Sequence, residues 1–221
     1  MSKTFKTKLF KEKKSIKKKE WCSEKEKEKE LKSNKGQTVD PIKLEDIRRL
    51  FRFFEKEENI KIYTVIKIQL NTGLRISDVL EITFDEVESE RLKERKTQKY
   101  KKVIFNENCL ESIKKLKKYY KANKIEDYNK GYIFKATRNP EEPLSYQTFS
   151  YHIKKVKEKL NIKYPFHSHS FRRAWAKAMY NETKDVACVM RLLNHSNQSV
   201  TLRYIGIELE ELEDLYNKIR F

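Results

Sequence analysis

Residues 71–80 read NTGLRISDVL and contain the signals that end one helix and begin the next. Before it, apolar residues at helical spacing predict a helix over about residues 60–70. This helix should stop at residues 71–73, because Gly73 readily takes the left-handed conformation that closes a helix. A second, short helix is predicted from Ser77 to Leu80. The stretch therefore places Arg75 in a turn between two helices.

Helical patterns continue on both sides of this stretch. Upstream, apolar residues recur every three or four positions between Leu44 and Phe54, which predicts a helix. The chain holds only four glycines and four prolines, which favours long helices with short connections. Downstream, helices are predicted at about residues 107–122, 145–160, 169–181, 184–193, 198–205 and 208–219.

Residues 81–105 have a different pattern. Ile82, Phe84 and Val87 alternate with polar residues, and the apolar residues 103–105 follow a charged turn at residues 96–99. Apolar alternation on both sides of a turn predicts a small antiparallel sheet. The predicted fold class is therefore mainly α with a small antiparallel β-sheet, an α+β arrangement.

The charge of the chain is strongly positive. There are 51 Lys and Arg against 33 Asp and Glu, a formal charge of +18 at pH 7. A field of this sign attracts polyanions. Nucleic acid is the commonest such partner, an anionic membrane is the second, and a lysine-rich surface that only aids solubility is the third interpretation.

The first residues stand apart from the rest. Residues 1–36 contain 14 Lys and six Glu, so they supply +8 of the charge, and the remaining chain still carries +10. Their few apolar residues cannot form a core, which predicts a flexible basic arm over residues 1–39. The folded body is predicted over residues 40–207 and a C-terminal amphipathic helix over residues 208–221. Because the body is basic in its own right, double-stranded DNA is the favoured partner.

Several classes of protein are disfavoured by simple counts. Cys22, Cys109 and Cys188 are odd in number and lack CxxC spacing, so neither a disulfide framework nor a zinc ribbon is indicated. The N-terminus has no apolar leader, and no apolar run is long enough to span a bilayer. We expect a cytoplasmic, nucleoid-associated protein without a membrane partner.

Six side chains are candidates for chemistry. Each alone has an ordinary interpretation, such as a surface charge, a packed helix face or a helix cap. His169 and Arg172 lie one helical turn apart, and this spacing suits joint contact with one anion. The candidates are Arg75, Lys96, His169, Arg172, His195 and Tyr204.

The order and spacing of these residues resemble the tyrosine recombinase (phage integrase) family. The resemblance covers about residues 40–221 and implies a tyrosine recombinase catalytic domain. It rests on NTGLRISDVL at residues 71–80, KTQK at residues 96–99, HSFRR at residues 169–173, LNHS at residues 193–196, and Tyr204 nine residues after His195.

The resemblance implies that three cationic or polar side chains hold the scissile phosphate. A phosphodiester resists attack, because negative charge builds up in its pentacovalent transition state. Arg75 and Arg172 would stabilise this charge with planar, permanently charged guanidinium groups. His195 would be a third donor to the non-bridging oxygens.

The resemblance also implies how the strand breaks. Tyr204 would be the nucleophile and form a 3′-phosphotyrosyl link. His169 would help to remove the phenolic proton, and Lys96 would protonate the departing 5′ oxygen. Because the phosphotyrosine conserves bond energy, rejoining needs no ATP, and no metal or other cofactor is expected.

The sequence departs from the family pattern at three places. Asn194 stands where glycine usually precedes the histidine, and asparagine also tolerates a left-handed cap. Ser170 replaces a commoner acidic residue, with an effect that the sequence does not indicate. The 39 residues before the body cannot form the separate DNA-clamping domain of many members. Substitution by the basic arm, dependence on an accessory protein and a shortened relic stay open.

The C-terminal residues suggest assembly into a homo-multimer. Leu209, Leu212, Leu215 and Ile219 form one apolar stripe, and acidic residues cover the other face. In this family such a tail commonly docks on a neighbouring protomer, which would give a tetramer on paired sites. Packing of the stripe on its own body is the alternative.

Three other functions stay open from the sequence. A type IB topoisomerase would use a similar set of residues to relax supercoils. A DNA-binding protein that kept the fold without catalysis is the second alternative. The third is a zinc site built from His152, His167, His169 and His195, although no cysteine lies at ligand spacing near them.

Overall fold

The computed structural model describes residues 40–96 and 98–206. The mostly helical fold class with a small antiparallel sheet is confirmed. The predicted arm at residues 1–39 and the predicted helix at residues 208–221 lie outside the described residues. In chain order the elements are α1 (Leu44–Lys56), α2 (Ile60–Thr72), α3 (Ile76–Leu80), α4 (Phe84–Ser89), β1 (Arg91–Lys93), β2 (Tyr100–Lys102), α5 (Glu107–Ala122), α6 (Tyr146–Lys159), α7 (Ser168–Thr183), α8 (Val186–Leu193) and α9 (Gln198–Ile205).

Helix α2 lies at the centre of the main hydrophobic core. It is buried on nearly every face and packs against α1, α5 and α7. A helix with most of its faces covered is apolar around most of its circumference. At its end, Gly73 takes the predicted left-handed conformation, with φ 64°. The chain then turns into α3, and Arg75 is the residue that precedes this helix.

The predicted sheet is smaller than expected. The strand prediction over residues 82–87 is wrong, because α4 begins at Phe84. Thr83 and Glu86 form a capping box there, which is a local helix-start signal that overrides the apolar alternation. The strand prediction at residues 103–105 is also wrong. The second strand is Tyr100–Lys102, which pairs antiparallel with Arg91–Lys93.

A second, smaller cluster of apolar residues joins the last three helices. Ala176 of α7, Val189 and Leu193 of α8, and Ile205 of α9 are fully buried in it. Tyr204 packs against this cluster with part of its ring. The cluster therefore fixes α9, and with it Tyr204, against α7 and α8. Within the described residues, no helix is both long and apolar enough to cross a bilayer.

Candidate active site

Arg75 lies half-buried beside two acidic side chains. Its Nη1 is 3.5 Å from Oε1 of Glu94 and 4.0 Å from Oδ2 of Asp78. Both carboxylates are almost fully buried, and burial raises the pKa of Asp78. Among the described residues, neither Nη1 of Arg75 nor Oδ2 of Asp78 has a hydrogen-bond partner. The acidic residues thus hold Arg75 by charge more than by directed hydrogen bonds.

Arg172 connects two of the sequence motifs. Its side chain is buried, with Nη1 donating to the carbonyl of Gly73 at 2.6 Å and Nη2 donating to the carbonyl of Leu193 at 2.7 Å. Burial lowers the pKa of Arg172 to about 10, so the guanidinium stays charged at neutral pH. The turn before Arg75 and the end of α8 are therefore both fixed to α7 by one cation.

His195 follows the end of α8 and contacts α9. Its Nδ1 lies 3.0 Å from Oγ1 of the buried Thr201. Burial, with help from Arg172 and Arg75, lowers the pKa of His195 to about 4. The imidazole is therefore neutral and carries one ring proton. When Nδ1 accepts from the threonine hydroxyl, that proton lies on Nε2, where it can be donated to an anion.

Tyr204 makes the contact that a general base requires. Its Oη lies 3.0 Å from Nδ1 of His169, and its ring packs edge-on against His195 with 5.1 Å between ring centroids. Desolvation, followed by the electrostatic effects of the neighbouring His167 ring and of the Arg172 cation, lowers the pKa of His169. A neutral Nδ1 can accept the phenolic proton, so this pair is able to act as base and nucleophile.

Arg173 holds the backbone of α9, the helix that carries Tyr204. It is buried, and its Nε donates to the carbonyl of Tyr204 at 3.3 Å while Nη2 donates to the carbonyl of Arg203. Its guanidinium also lies 5.5 Å from the centroid of the Tyr204 ring. The motif at residues 169–173 thus supplies two arginines with different contacts. Arg172 holds the turn before Arg75 and the end of α8, and Arg173 holds the backbone of α9 at Tyr204.

Lys96 is the one candidate that the structure leaves apart. It is exposed in the turn between β1 and β2, next to Thr97, which lies outside the described residues. In the described part of the chain, no hydrogen bond or ion pair joins Lys96 to the other five candidates. The structure therefore brings together Arg75, His169, Arg172, His195 and Tyr204, and places Lys96 on the neighbouring hairpin.

Two charged residues of the site were missed by the sequence interpretation. Glu94 is only 2% exposed, and Oε2 accepts a 2.8 Å hydrogen bond from Asn194. Lys101 donates to the carbonyl of Leu192, and burial lowers the pKa of Lys101. Glu94 lies two positions after Leu92, so both side chains face inward, and this alternation was a sequence signal for Glu94. No sequence signal separates Lys101 from the other lysines.

The histidines do not form the alternative zinc site. His152 lies on α6, where its Nδ1 is 3.2 Å from the side-chain nitrogen of Asn59. Over residues 40–96 and 98–206, no three His, Cys, Asp or Glu side chains come together as metal ligands. The four-histidine set of the sequence interpretation is therefore wrong, because the fold carries His152 into a different contact.

The fold itself is that of tyrosine recombinase catalytic domains. The crystallised XerH site-specific recombinase, bound to its palindromic difH substrate in a post-cleavage complex, superposes with a TM-score of 0.66. The match has 15% sequence identity and covers 82% of this chain and 52% of XerH. At this identity the similarity concerns the fold alone.

Sequence comparison then gives the family. Residues 41–211 match the model of the phage integrase family. The probable integrase/recombinase YoeC of Bacillus subtilis is 30% identical over 182 residues, which cover 80% of this chain and 95% of YoeC. The tyrosine recombinase XerC of Caldanaerobacter subterraneus subsp. tengcongensis is 27% identical over 86% of this chain, and this chain spans 54% of that protein. The chain belongs to the phage integrase family, as its motifs predicted.

Proposed function

We propose that this chain is a site-specific DNA recombinase that cuts and rejoins double-stranded DNA through a 3′-phosphotyrosyl bond to Tyr204. The observation that carries the proposal is the 3.0 Å contact between Tyr204 Oη and His169 Nδ1, one helical turn from the buried Arg172. A nucleophile, its base and a fixed cation thereby share one face of the domain. The family match and the DNA substrate of XerH support DNA as the partner.

Three donors would stabilise the charge that develops on the phosphate. Arg172 is already fixed by two backbone carbonyls, so its remaining N–H groups have a defined direction. Arg75 and the Nε2–H of His195 would bind the non-bridging oxygens beside it. Such preorganised donors are effective because they need no reorganisation when the charge develops, and removal of one typically costs ~100-fold or more in rate.

The strand would break in one displacement. Tyr204 Oη attacks phosphorus as its proton passes to Nδ1 of His169. The bond from phosphorus to the 5′ oxygen breaks, and its electron pair stays on that oxygen, which takes a proton from the ammonium group of Lys96. Attack by the 5′ hydroxyl of another strand reverses these steps, so rejoining uses neither ATP nor a metal.

The assembly around DNA is the further part of this proposal. The basic arm at residues 1–39 would add phosphate contacts next to the basic body. The apolar stripe at residues 208–221 would dock on a neighbouring protomer, giving a tetramer on paired sites at the nucleoid. An accessory protein is the alternative route to a stable complex. The chain spans about half of XerC and XerH.

Covalent trapping tests this function. The protein is incubated with nicked suicide duplexes that carry the inverted repeats flanking its gene, with EDTA present, and adducts are resolved in SDS. We expect an adduct that Tyr204→Phe abolishes while DNA affinity changes less than about twofold, because one hydroxyl adds little to a phosphate-dominated interface. Tyr180→Phe is the matched control, because Tyr180 packs on the same apolar cluster and should leave the adduct intact.

The outcomes separate the candidate functions. An adduct that persists in Tyr204→Phe contradicts the assignment of the nucleophile. Binding without any adduct indicates a DNA-binding protein that kept the fold. Relaxation of supercoils without strand exchange between two sites indicates a type IB topoisomerase, whereas exchange indicates the recombinase.

A further inference from the structure

Two consecutive backbone carbonyls before His195 accept hydrogen bonds from different elements. The carbonyl of Leu192 accepts a hydrogen bond from Nζ of Lys101 on β2. The next carbonyl, that of Leu193, accepts from Nη2 of Arg172 on α7 at 2.7 Å. We refer to residues 192–195 as the histidine turn. Its backbone is therefore held from two sides immediately before the catalytic imidazole.

The third contact of the histidine turn is made by Asn194, which stands where the family usually has glycine. Asn194 has φ 55°, the left-handed conformation that glycine would adopt. Unlike glycine, it also has a side chain, and its Nδ2 donates to Oε2 of the buried Glu94 at 2.8 Å. The other carboxylate oxygen of Glu94 faces Arg75 at 3.5 Å. The substitution thus adds a link between the histidine turn and the segment that follows β1.

Glu94 and Lys101, the two residues that contact the histidine turn from this side, flank Lys96 in the sequence. We refer to residues 91–102 as the lysine hairpin. Glu94 precedes the lysine by two residues and Lys101 follows it by five. Lys101 pairs across the hairpin with Leu92, which is 2% exposed and anchors the strands in the main core. Because the hairpin is only three residue pairs long, these two contacts are well placed to set where its tip lies.

We propose that Glu94, Lys101 and Asn194 are positioning residues that dock the lysine hairpin on the histidine turn. Docking directs the Lys96 ammonium to the 5′ leaving oxygen while His195 and Arg172 hold the same phosphate. The inference rests on the proposed function, because it takes Lys96 as the general acid. It assigns to Asn194 a task that glycine at this position does not perform.

This role predicts a defect that depends on the leaving group. Protonation of the 5′ oxygen is needed because an alkoxide leaves poorly. When sulfur replaces the bridging 5′ oxygen, the strand leaves as a thiolate, which is stable near neutral pH without a proton. A misplaced Lys96 therefore slows cleavage of the oxygen substrate and not of the sulfur substrate. A defect in phosphate binding slows both.

The test measures single-turnover formation of the Tyr204 adduct on matched oxygen and sulfur duplexes. Asn194→Gly removes the side chain but keeps the left-handed conformation without strain, so the fold is retained. Lys101→Met removes the ammonium and keeps the apolar stem beside Leu92. We expect each variant to be about ten- to a hundredfold slower on the oxygen duplex, as for a catalytic group displaced by an ångström. On the sulfur duplex each should match the unaltered protein.

Two controls calibrate the measurement. Lys96→Ala should show the same rescue by sulfur, and Arg172→Lys should be slow on both duplexes. Equal defects of Asn194→Gly on both duplexes, or no defect on either, would overturn the docking role, as would the absence of rescue for Lys96→Ala. Absence of any adduct from the unaltered protein contradicts the proposed function instead, so the two failures are distinguishable.

Discussion

Burial gives the ionisable residues of the site different charges at the same pH. Arg172 keeps its charge because its pKa, lowered to about 10, is still well above neutrality. His195 is neutral because burial and two arginines lower its pKa to about 4. His169 is likewise shifted downward. One face thus carries a permanent cation together with neutral imidazoles, and under the proposed function the cation would bind the phosphate while one imidazole donates and the other acts as base.

At the scale of single residues, we predict the pH dependence of cleavage. The pKa of His169 lies below 6.5, so at acidic pH the ring is protonated and cannot accept the phenolic proton. Single-turnover adduct formation should therefore rise with pH through a midpoint below 6.5 and then level off. His169→Gln should be slower by about 100-fold at pH 7.5, the usual contribution of a general base, and should lose this acidic limb. A variant that keeps the limb and midpoint would assign the titration to another group.

At the scale of elements, the turn between α2 and α3 joins packing to chemistry. Gly73 has φ 64°, and a Cβ added there would lie 2.2 Å from Cε3 of Trp175 on α7. The same residue supplies the carbonyl that binds Arg172. Glycine at this position therefore allows α2 and α7 to approach, and it places the carbonyl that orients the arginine.

We predict that Gly73→Ala destabilises the domain by about 2 to 4 kcal/mol, since the left-handed strain adds to an overpacked contact. Denaturant unfolding followed by circular dichroism measures the change. Gly206→Ala is the matched control, because Gly206 has φ 59° and none of the described residues lies within 4 Å of its added Cβ. It should lose only about 1 to 2 kcal/mol. Equal losses in the two variants would show that Trp175 moves aside without cost.

At the scale of the whole molecule, we assign the charge of +18 and the apolar stripe predicted at residues 208–221 to different steps of the proposed reaction. The positive field attracts DNA. Its contribution to DNA affinity decreases with salt, because each neutralised phosphate releases counterions. The helix predicted at residues 208–221 would be acidic on one face, so it would suit the basic surface of a neighbour better than it would suit DNA. We therefore attribute binding to the body and arm, and assembly to the tail.

Truncation after residue 207 tests this division. We expect single-site DNA affinity to change less than about threefold, because the removed residues are mostly acidic or apolar. Cooperative assembly on paired sites and strand exchange should be lost, as measured by gel shift and by a two-site recombination assay. Leu212→Ser with Leu215→Ser in the full chain should reproduce the loss. If the truncated protein unfolds or loses all DNA binding, the tail belongs to its own core.

The family of this protein could be predicted from its sequence alone, because the order and spacing of the motifs are local features. That resemblance implied Arg75, Arg172, His195 and Tyr204 as a set, and their roles stay a prediction. The sequence also predicted most helices, because apolar spacing reports which face is buried. The helix at Phe84–Ser89 was missed although Thr83 and Glu86 carry a capping signal, since alternating apolar residues gave the competing strand pattern.

The contacts of Lys101 and Glu94 beside the candidate site were visible in the folded structure and not in the sequence. Lys101 and Glu94 lie 91 and 100 residues from their partners Leu192 and Asn194. A local pattern cannot report such contacts, because they depend on how β1, β2 and α8 pack. The same packing brings His169 to Tyr204 across 35 residues and carries His152 away from the other histidines. The candidate reactive residues can thus be identified from local sequence motifs. Their charges and positions, in contrast, depend on burial and on long-range contacts.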